Sequence, residues 1–182
     1  MSDEERGSST YSWKSDPFFW VYTILMLVPI VMVFVFYNYY SLDFLVYIGW
    51  GLMVFSILLI LLAGSEFRKK GRAPKGKSIV NTTVVVDSGI YSVVRHPQYL
   101  GFILCVFALV FMSQHWISIS SSILGSILFY RDVLREEQMS IAKFGDEYKN
   151  YSQRVPRMNL IVGAIRLLDR KKGKNEILIS KQ

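Results

Sequence analysis

"PFFWVYTILMLVPIVMVFVFY", at residues 17–37, decides the class of fold. These 21 residues carry no charged side chain, and Thr23 is their only hydroxyl-bearing residue besides tyrosine. A helix needs about 20 apolar residues to cross a hydrocarbon core about 30 Å thick. A second uncharged run, "FLVYIGWGLMVFSILLILLAG", follows at residues 44–64. The sequence therefore predicts two membrane-spanning helices within residues 17–64 of an all-α integral membrane protein.

Two shorter apolar blocks, residues 99–112 and 116–130, are separated by "SQH". A helix of 14 residues reaches only about 21 Å at 1.5 Å per residue. Each block can lengthen, the first by starting at Pro97 and the second by running past Tyr130. We expect a tight transmembrane hairpin over residues 97–130, whose second helix projects beyond the bilayer. The fold class is then four transmembrane helices with a cytoplasmic connector and C-terminal cytoplasmic helices, one domain from residue 17 onward.

Positive charge predicts how the chain lies in the membrane. The connector at residues 65–96 holds seven Lys or Arg against two Asp or Glu, and residues 131–182 hold twelve against seven. The loops at residues 38–43 and 113–115 hold no Lys or Arg. The positive-inside rule therefore places both termini and the connector in the cytoplasm. The net charge of +7 is explained by this topology and by attraction to anionic lipid headgroups at the connector and tail, and nucleic acid explains it poorly.

The ends of the chain give further expectations. Residues 1–16 are polar and Ser-rich, which indicates a cytoplasmic leader. The first span is too long for a cleaved signal peptide, and no small-x-small cleavage site follows it. Cys105 is the only cysteine, so an intrachain disulfide is impossible. The lack of a targeting signal and of disulfides favours a prokaryotic plasma membrane.

The connector and tail have different patterns. Within the basic connector, "IVNTTVVVDSGIY" at residues 79–91 is rich in β-branched residues, which predicts an extended segment. In the tail at residues 131–182, we expect one helix ending near Gly145 and a second that holds Tyr148 and Tyr151 and stops at Pro156. The last stretch, "LIVGAIRLLDRKKGK", combines apolar and basic residues and is typical of a helix lying in the membrane interface.

Two possible functional sites are rejected on context. Residues 71–78, "GRAPKGKS", match the phosphate-binding P-loop pattern, which requires a strand before the loop and a helix after it. Here a transmembrane helix precedes it and an extended run follows, so we interpret it as a solvated basic loop. No metal site is predicted either, because His96 and His115, the only histidines, fall at opposite ends of the third helix.

The stretch "RHPQY" at residues 95–99 lies at the start of that helix. Taken singly, its residues have ordinary explanations: proline suits a first helical turn, arginine snorkels, and tyrosine belongs at interfaces. The pair Glu136-Glu137 is ordinary too, because acids on a cytoplasmic helix form i,i+4 pairs. The hairpin, however, brings all of them to one membrane depth. The residues expected to converge there are Arg95, His96, Tyr99, Arg131, Arg135, Glu136 and Glu137.

The order of these pieces resembles a family. G-[IP]-Y-x-x-x-R-H-P-x-Y-x-G, a helical hairpin, E-E, F-G-x-E-Y-x-x-Y and R-V-P-R together are similar to the integral-membrane methyltransferases, which include isoprenylcysteine carboxyl methyltransferase and the phospholipid N-methyltransferases. The resemblance covers about residues 50–160. The chain departs from longer family members in having four spans, so the acceptor is less constrained than the cofactor. The matching pieces are Gly89-Ile90-Tyr91, Arg95-His96-Pro97-Gln98-Tyr99-Leu100-Gly101, Glu136-Glu137, Phe144-Gly145-Asp146-Glu147-Tyr148 with Tyr151, and Arg154-Val155-Pro156-Arg157.

The resemblance implies S-adenosylmethionine as methyl donor. Tyrosine faces can stabilise its sulfonium by cation–π contact, and Glu136 or Glu137 can hold its ribose hydroxyls or amino group. His96 can hydrogen-bond its carboxylate or adenine, and backbone groups of residues 85–94 can reach the adenine. The candidate cofactor-binding residues are Gly89, Tyr91, His96, Pro97, Tyr99, Glu136 and Glu137.

The acceptor is left open between two chemistries. A prenylcysteine-type carboxylate needs no general base, and Arg95 or Arg131 would orient it. A lipid amine must lose a proton, which Glu137 or His96 would accept. In both cases the lipophilic substrate enters from the bilayer, so the catalytic candidates are Arg95, Arg131 and Glu137. Two rival functions remain: an NADPH-dependent sterol-type membrane reductase, which resembles this chain in its C-terminal half, and a non-enzymatic lipid-binding scaffold.

Overall fold

The computed structural model describes residues 17–72 and 82–179, the last six by their backbone alone. The predicted leader at residues 1–16 and most of the P-loop-like stretch at residues 71–78 lie outside the described residues. The described helices are α1 (Pro17–Val35), α2 (Asp43–Lys70), α3 (Pro97–Ser113), α4 (Trp116–Phe144), α5 (Asp146–Arg154) and α6 (Leu160–Ile179). The described residues contain no β-strand, which confirms the predicted all-α fold.

Three of these helices, α1, α2 and α4, are long and apolar enough to cross a membrane, whereas α3 has 17 residues and is shorter. Large apolar side chains of α1 and α2, such as Phe34 and Leu61, are exposed on the protein surface. Such a surface suits a lipid environment, and it supports an integral membrane protein. The count of four spans and their orientation stay predictions.

Close helix packing depends on small residues. A Cβ added at Gly101 would lie 2.7 Å from the Ile60 side chain, and one at Gly49 would lie 2.9 Å from the Ala108 carbonyl oxygen. These two glycines therefore let α3 approach α2 closely along its length. Gly125 similarly lets α4 pack on α1. Two residues join α3 to α4, as the predicted hairpin requires, yet each packs more extensively on α2 or α1 than on the other.

The loops at one end of the bundle are tied together by Gln114, which ends α3 in the left-handed region at φ 56°. Its Nε2 donates to Asn38 Oδ1 at 2.7 Å and to the Leu42 carbonyl oxygen at 2.9 Å, and its Oε1 accepts from the Leu42 amide at 3.2 Å. His115 follows and caps α4 by accepting from the Ile117 amide. We call Asn38, Leu42 and Gln114 the glutamine end.

At the opposite end the helices extend further than the apolar runs. The α2 helix continues past Gly64 to Lys70, and α4 continues past Tyr130 to Phe144, as expected for a projecting fourth helix. The predicted extended segment has no regular structure over residues 82–88 and then forms a 3-10 helix, Gly89–Ser92. Its β-branched residues have no partner strand among the described residues, so this segment forms no β-sheet.

The tail follows the predicted order. Gly145 ends α4 with a positive φ of 58°, which glycine adopts without steric cost. The short helix α5 then buries Tyr148 and Tyr151, and the chain leaves it in extended backbone at Val155, just before Pro156. The predicted last helix is present as α6. Its placement in the membrane interface stays a prediction.

Candidate functional site

The Arg95-His96 segment enters α3 in a fixed geometry. Pro97 occupies the first turn of α3, where its missing N–H costs no helical hydrogen bond. The amide of Arg95 donates to the Pro156 carbonyl oxygen at 3.0 Å, and that of His96 donates to the Arg157 carbonyl oxygen at 3.1 Å. Two backbone hydrogen bonds therefore hold the start of α3 against the chain that follows α5.

Glu137 is the centre of a charged cluster at this end of the bundle. It is 8% exposed and its Oε1 lies 3.2 Å from His96 Nε2 and 3.0 Å from Arg95 Nη1. Arg157 contacts both carboxylate oxygens, with Nε 3.0 Å from Oε1 and Nη2 2.7 Å from Oε2. A two-point arginine–carboxylate pair is among the strongest charged hydrogen bonds in proteins. We call Arg95, His96, Glu137 and Arg157 the glutamate end.

Arg157 also reaches α4 a second time. Its Nη1 donates to the Tyr130 hydroxyl at 2.6 Å. The hydrogen bonds to Glu137 raise the pKa of the Arg157 guanidinium above its ordinary value, so it stays charged. The sequence predicts no role for this arginine beyond its place in the R-V-P-R piece. The signal was present, but nothing in the helical periodicity places a residue beyond α5 beside α4.

A cavity of about 270 Å³ lies beside the glutamate end. Its walls come from the end of α2, the connector, the projecting part of α4, and α5. Glu136 lines it, whereas Glu137, one residue on, points into the charged cluster. The lining residues are Phe67, Thr82, Val84, Val85, Val86, Tyr91, Arg95, His96, Glu136, Met139, Ser140, Lys143, Phe144, Tyr148 and Tyr151.

Tyrosines form one wall of this cavity. Tyr91 stacks on Phe67 with ring centroids 4.8 Å apart, and its carbonyl oxygen accepts from the Tyr151 hydroxyl at 2.7 Å. Burial raises the pKa of Tyr91 and Tyr151 above the ordinary range, and it raises the pKa of Tyr148 to about 12. These phenols therefore stay protonated at neutral pH and act as hydrogen-bond donors, not as bases.

The connector is attached to the helices at both sides of the cavity. Lys143 Nζ donates to the Thr82 carbonyl oxygen. On the other side, Ser88 Oγ donates to Glu66 Oε2 at 3.0 Å. Gly89 follows at φ 56°, and a Cβ there would lie 2.5 Å from the Glu66 carboxylate. Gly89, a predicted cofactor residue, thus shapes the connector and does not line the cavity.

The other predicted site residues occupy positions behind the cavity or away from it. Tyr99 lies close to Glu136 and packs on Phe129, with ring centroids 4.9 Å apart. Pro97 is buried in the first turn of α3. The Arg131 guanidinium lies 4.0 Å from the centre of the Phe18 ring. Neither Tyr99, Pro97 nor Arg131 lines the cavity.

The predicted convergence is therefore partial. The structure brings Arg95, His96, Glu136 and Glu137 to one corner, with Tyr99 next to Glu136. Arg131 is engaged at the α1 side of α4 instead, because it lies on a different face of that helix. Within residues 17–72 and 82–179, no group of three or more His, Cys, Asp or Glu residues is arranged to hold a metal ion.

Comparison with known proteins bears on this corner directly. The model of the isoprenylcysteine carboxyl methyltransferase (ICMT) family matches residues 54–143, from the middle of α2 to the end of α4. Protein-S-isoprenylcysteine O-methyltransferase of Homo sapiens is 35% identical over 95 residues, 52% of this chain and 32% of that protein. The protein of the same name in Schizosaccharomyces pombe is 27% identical over 113 residues, 56% of this chain and 47% of that protein.

A third relative is named for a different methyl acceptor. Methanethiol S-methyltransferase 1 of Bradyrhizobium diazoefficiens is 38% identical over 66 residues, 36% of this chain and 22% of that protein. No solved structure matches the chain. These matches agree with the class that the sequence resembles, the integral-membrane methyltransferases. Within that class the chain is similar to the ICMT family, over a segment that spans less than half the length of the human and yeast relatives.

Proposed function

We propose that this protein transfers a methyl group from S-adenosylmethionine to a lipophilic acceptor at the membrane surface. The observation that carries the proposal is the cavity beside the glutamate end. Most of its lining residues lie in the ICMT-like segment, residues 54–143, and it combines Glu136, Arg95 and a tyrosine wall. Aromatic faces, a carboxylate and a guanidinium in one pocket are suited to a ligand that carries both signs of charge.

The residues present fit the proposed donor. Arg95 Nε is buried and has no hydrogen-bond partner among the described residues, which leaves a charged donor for the carboxylate of a bound molecule. Glu136 offers a carboxylate to an amino group or to ribose hydroxyls. When bound, S-adenosylmethionine supplies a methyl group on a positively charged sulfur, open to attack by a nucleophile.

Glu137 acts in this scheme as a positioning residue. Its contacts with Arg95 and His96 hold both side chains at the cavity wall, and Arg157 compensates its charge. Because direct displacement needs its reacting atoms in line, fixed walls and exclusion of water account for the rate enhancement. The charged cluster therefore serves the reaction by keeping the cavity rigid.

A carboxylate is the acceptor that the charge balance favours. Two guanidinium groups, those of Arg95 and Arg157, share the single carboxylate of Glu137. With Lys143 and Glu136, which both line the cavity, three cationic side chains stand against two carboxylates, and the remaining positive charge attracts an anionic acceptor and repels a protonated amine. The human and yeast relatives are named for O-methyl transfer to isoprenylcysteine, which agrees with this assignment. A carboxylate acceptor also needs no general base.

The acceptor's membrane access follows from the predicted topology. With α3 counted as a span beside α1, α2 and α4, the positive-inside rule predicts that the cavity faces the cytoplasm. The soluble donor then arrives from the cytoplasm, while the lipophilic acceptor enters sideways from the bilayer.

The experiment is equilibrium binding of S-adenosylmethionine and S-adenosylhomocysteine to the full-length protein in nanodiscs, with NADPH as control. We expect saturable binding of both, and at least a tenfold weaker affinity in Glu136→Gln. The matched control is Glu147→Gln on the exposed start of α5, which should bind normally. Binding of NADPH alone would replace the proposal with a reductase, and binding of neither would replace it with a lipid-binding scaffold.

Labelled donor then distinguishes the acceptors. Detergent-free membranes are supplied with a farnesylcysteine analogue that has a free carboxylate, with its methyl ester, or with a phospholipid amine. Incorporation into the free carboxylate alone supports the assignment. Incorporation into the amine would contradict it while leaving methyl transfer intact.

A further inference from the structure

The helix α6 contacts the candidate site through its inner face. A Cβ added at Gly163 would lie 2.0 Å from the Val93 carbonyl oxygen, so the helix and the backbone before α3 are in direct contact there. About two helical turns further along α6, Arg170 Nη2 donates to the Ser92 carbonyl oxygen at 2.8 Å. The inner face of α6 therefore rests on residues 92–93.

The outer face of α6 is apolar and uncovered by the described residues. Ile161, Ile165 and Leu168 are 75%, 54% and 58% exposed. Their spacing of four and three residues places them on a single stripe of the helix. The exposed Lys171 and Lys172 follow at the C-terminal end of this stripe. An apolar stripe that leads into basic residues is the pattern of a helix lying on a lipid leaflet.

The stripe begins beside the surface that the transmembrane helices present to lipid. The groove where it starts is formed by α2, α3 and the chain that enters α6. Since α2 is long and apolar enough to span the membrane, this groove continues its lipid-facing side. The residues lining the groove are Leu52, Phe55, Leu100, Leu104, Met158, Asn159, Leu160 and Ile161.

The same helix is joined to the glutamate end through a short stretch of backbone. Arg157 lies three residues before the start of α6, and its side chain holds Glu137. The carbonyl oxygens of Pro156 and Arg157 accept the amides of Arg95 and His96. A shift of α6 would therefore change the position of His96 by two routes, through its contact with residues 92–93 and through Arg157.

We propose that α6 is a clasp held by the membrane: an anionic lipid leaflet binds its outer face, and this contact fixes Arg95 and His96 against Glu137. The partner is the lipid surface itself, with acyl chains meeting the apolar stripe and anionic headgroups meeting the lysines. The inference goes beyond the proposed methyl transfer, and its first two tests require no methyl transfer.

The first test measures depth. In a Cys105→Ser background, a nitroxide label is attached at Leu168→Cys or, as a control, at Asn150→Cys on the exposed face of α5. In nanodiscs with anionic lipid, the label at position 168 should be reached better by oxygen than by a polar nickel reagent, and the label at position 150 should show the reverse. If the label at position 168 behaves like that at position 150, α6 does not dock on lipid.

The second test measures coupling, with two glycines of the same helix as a matched pair. Gly163→Ala forces α6 away from Val93, whereas the Cβ of Gly173→Ala meets no atom within 4 Å. Hydrogen exchange of the amides of Arg95 and His96 should be at least fivefold faster in Gly163→Ala than in wild type, and unchanged in Gly173→Ala. Equal exchange in the two variants would overturn the coupling.

The third test replaces the lipid. In wild type, exchange of these two amides should be faster in neutral phosphatidylcholine than in mixtures with phosphatidylglycerol, and the Lys171→Glu/Lys172→Glu variant should lose the difference. Equal exchange rates in neutral and anionic lipid would overturn the role of anionic headgroups. Affinity for S-adenosylhomocysteine is recorded in parallel: its absence in wild type, with the exchange results as expected, would refute the proposed function and leave the clasp standing.

Discussion

The two ends of the helical bundle are closed by different chemistry. At the glutamine end, neutral amides satisfy one another: Gln114 alone makes three hydrogen bonds to Asn38 and Leu42. At the glutamate end, a buried carboxylate is surrounded by cationic groups and adjoins a cavity. Neutral hydrogen bonds are sufficient to tie two loops, whereas buried charges with one unsatisfied donor are costly unless they serve a ligand. The difference supports a structural role for the glutamine end and the proposed ligand-binding role for the glutamate end.

The largest effect should come from Glu137→Gln, which removes the negative charge of the glutamate end. Arg95 and Arg157 would then be left without compensation, and breaking such a buried pair costs about 3–5 kcal/mol. We expect unfolding by denaturant in detergent micelles to show this loss, together with loss of S-adenosylhomocysteine binding. The exposed Glu147→Gln is the control. A loss of less than about 1 kcal/mol in the free energy of unfolding would contradict the proposed difference between the glutamate end and the glutamine end.

A second comparison uses the two arginines of the R-V-P-R piece. Arg157 makes a two-point pair with Glu137, whereas Arg154 lies 3.7 Å from Asp87 with both side chains half exposed. Lysine cannot reproduce the two-point geometry. Arg157→Lys should therefore lose about 2 kcal/mol of stability, and Arg154→Lys less than about 1 kcal/mol. Equal losses in the same denaturation experiment would contradict the assigned role of Arg157.

At the glutamine end, a shorter amide should affect stability alone. Gln114→Asn keeps a residue that tolerates the left-handed conformation but does not reach Asn38 and Leu42. We expect a loss of about 1–2 kcal/mol, with S-adenosylhomocysteine affinity within twofold of wild type. Calorimetric binding on the folded variant checks this. A drop in affinity as large as that of Glu136→Gln would show that the two ends are coupled.

The smallest effect concerns alkaline pH at the wall of the cavity. Burial, followed by the nearby Glu137 charge, raises the pKa of Tyr148 from 10.0 to about 12. Below pH 10 the phenol is protonated in both the folded and the unfolded chain. Between about pH 10 and 12 only the unfolded chain loses its proton, so stability falls as pH rises. Tyr148→Phe should make this part of the stability profile less steep by the contribution of one proton, because Tyr91 and Tyr151 still contribute, and the exposed Tyr40→Phe should leave it as steep as in wild type.

Much of the fold was predictable because lipid imposes simple rules on sequence. Long uncharged runs predict helices, and the helix-ending residues Gly145 and Pro156 predict the ends of α4 and α5. The sequence predicts the end of the second span at residue 64, but α2 continues to Lys70. Its last turn is basic, and basic residues there also suit a connector outside the membrane. The connector was read as extended because β-branched residues favour strands, but a strand requires a partner, and pairing is not visible in local composition.

The site was predictable where it lies on regular helices. Arg95, His96 and Glu137 converge because a two-residue turn sets the relative depth of α3 and α4. Sequence did not decide between Glu136 and Glu137: successive helical positions differ by about 100°, and only packing shows which one faces the cavity. The role of Arg157 was not predicted, because its position depends on how the chain leaves α5. Arg131 lies away from the predicted corner because it is on a different face of α4, beside Phe18 of α1.

The backbone hydrogen bonds from Arg95 and His96 to Pro156 and Arg157 have a consequence for biogenesis. They join segments that lie about sixty residues apart in the chain, and the second segment follows the three described helices that are long enough to span the membrane. Contacts of such long range form late, because the intervening chain must first be in place. During synthesis the spans can therefore insert while the charged corner is still incomplete. The protein should acquire its ligand-binding competence only after Arg157 has been synthesised, and a ribosome stalled before Arg157 would hold an inserted but inactive chain.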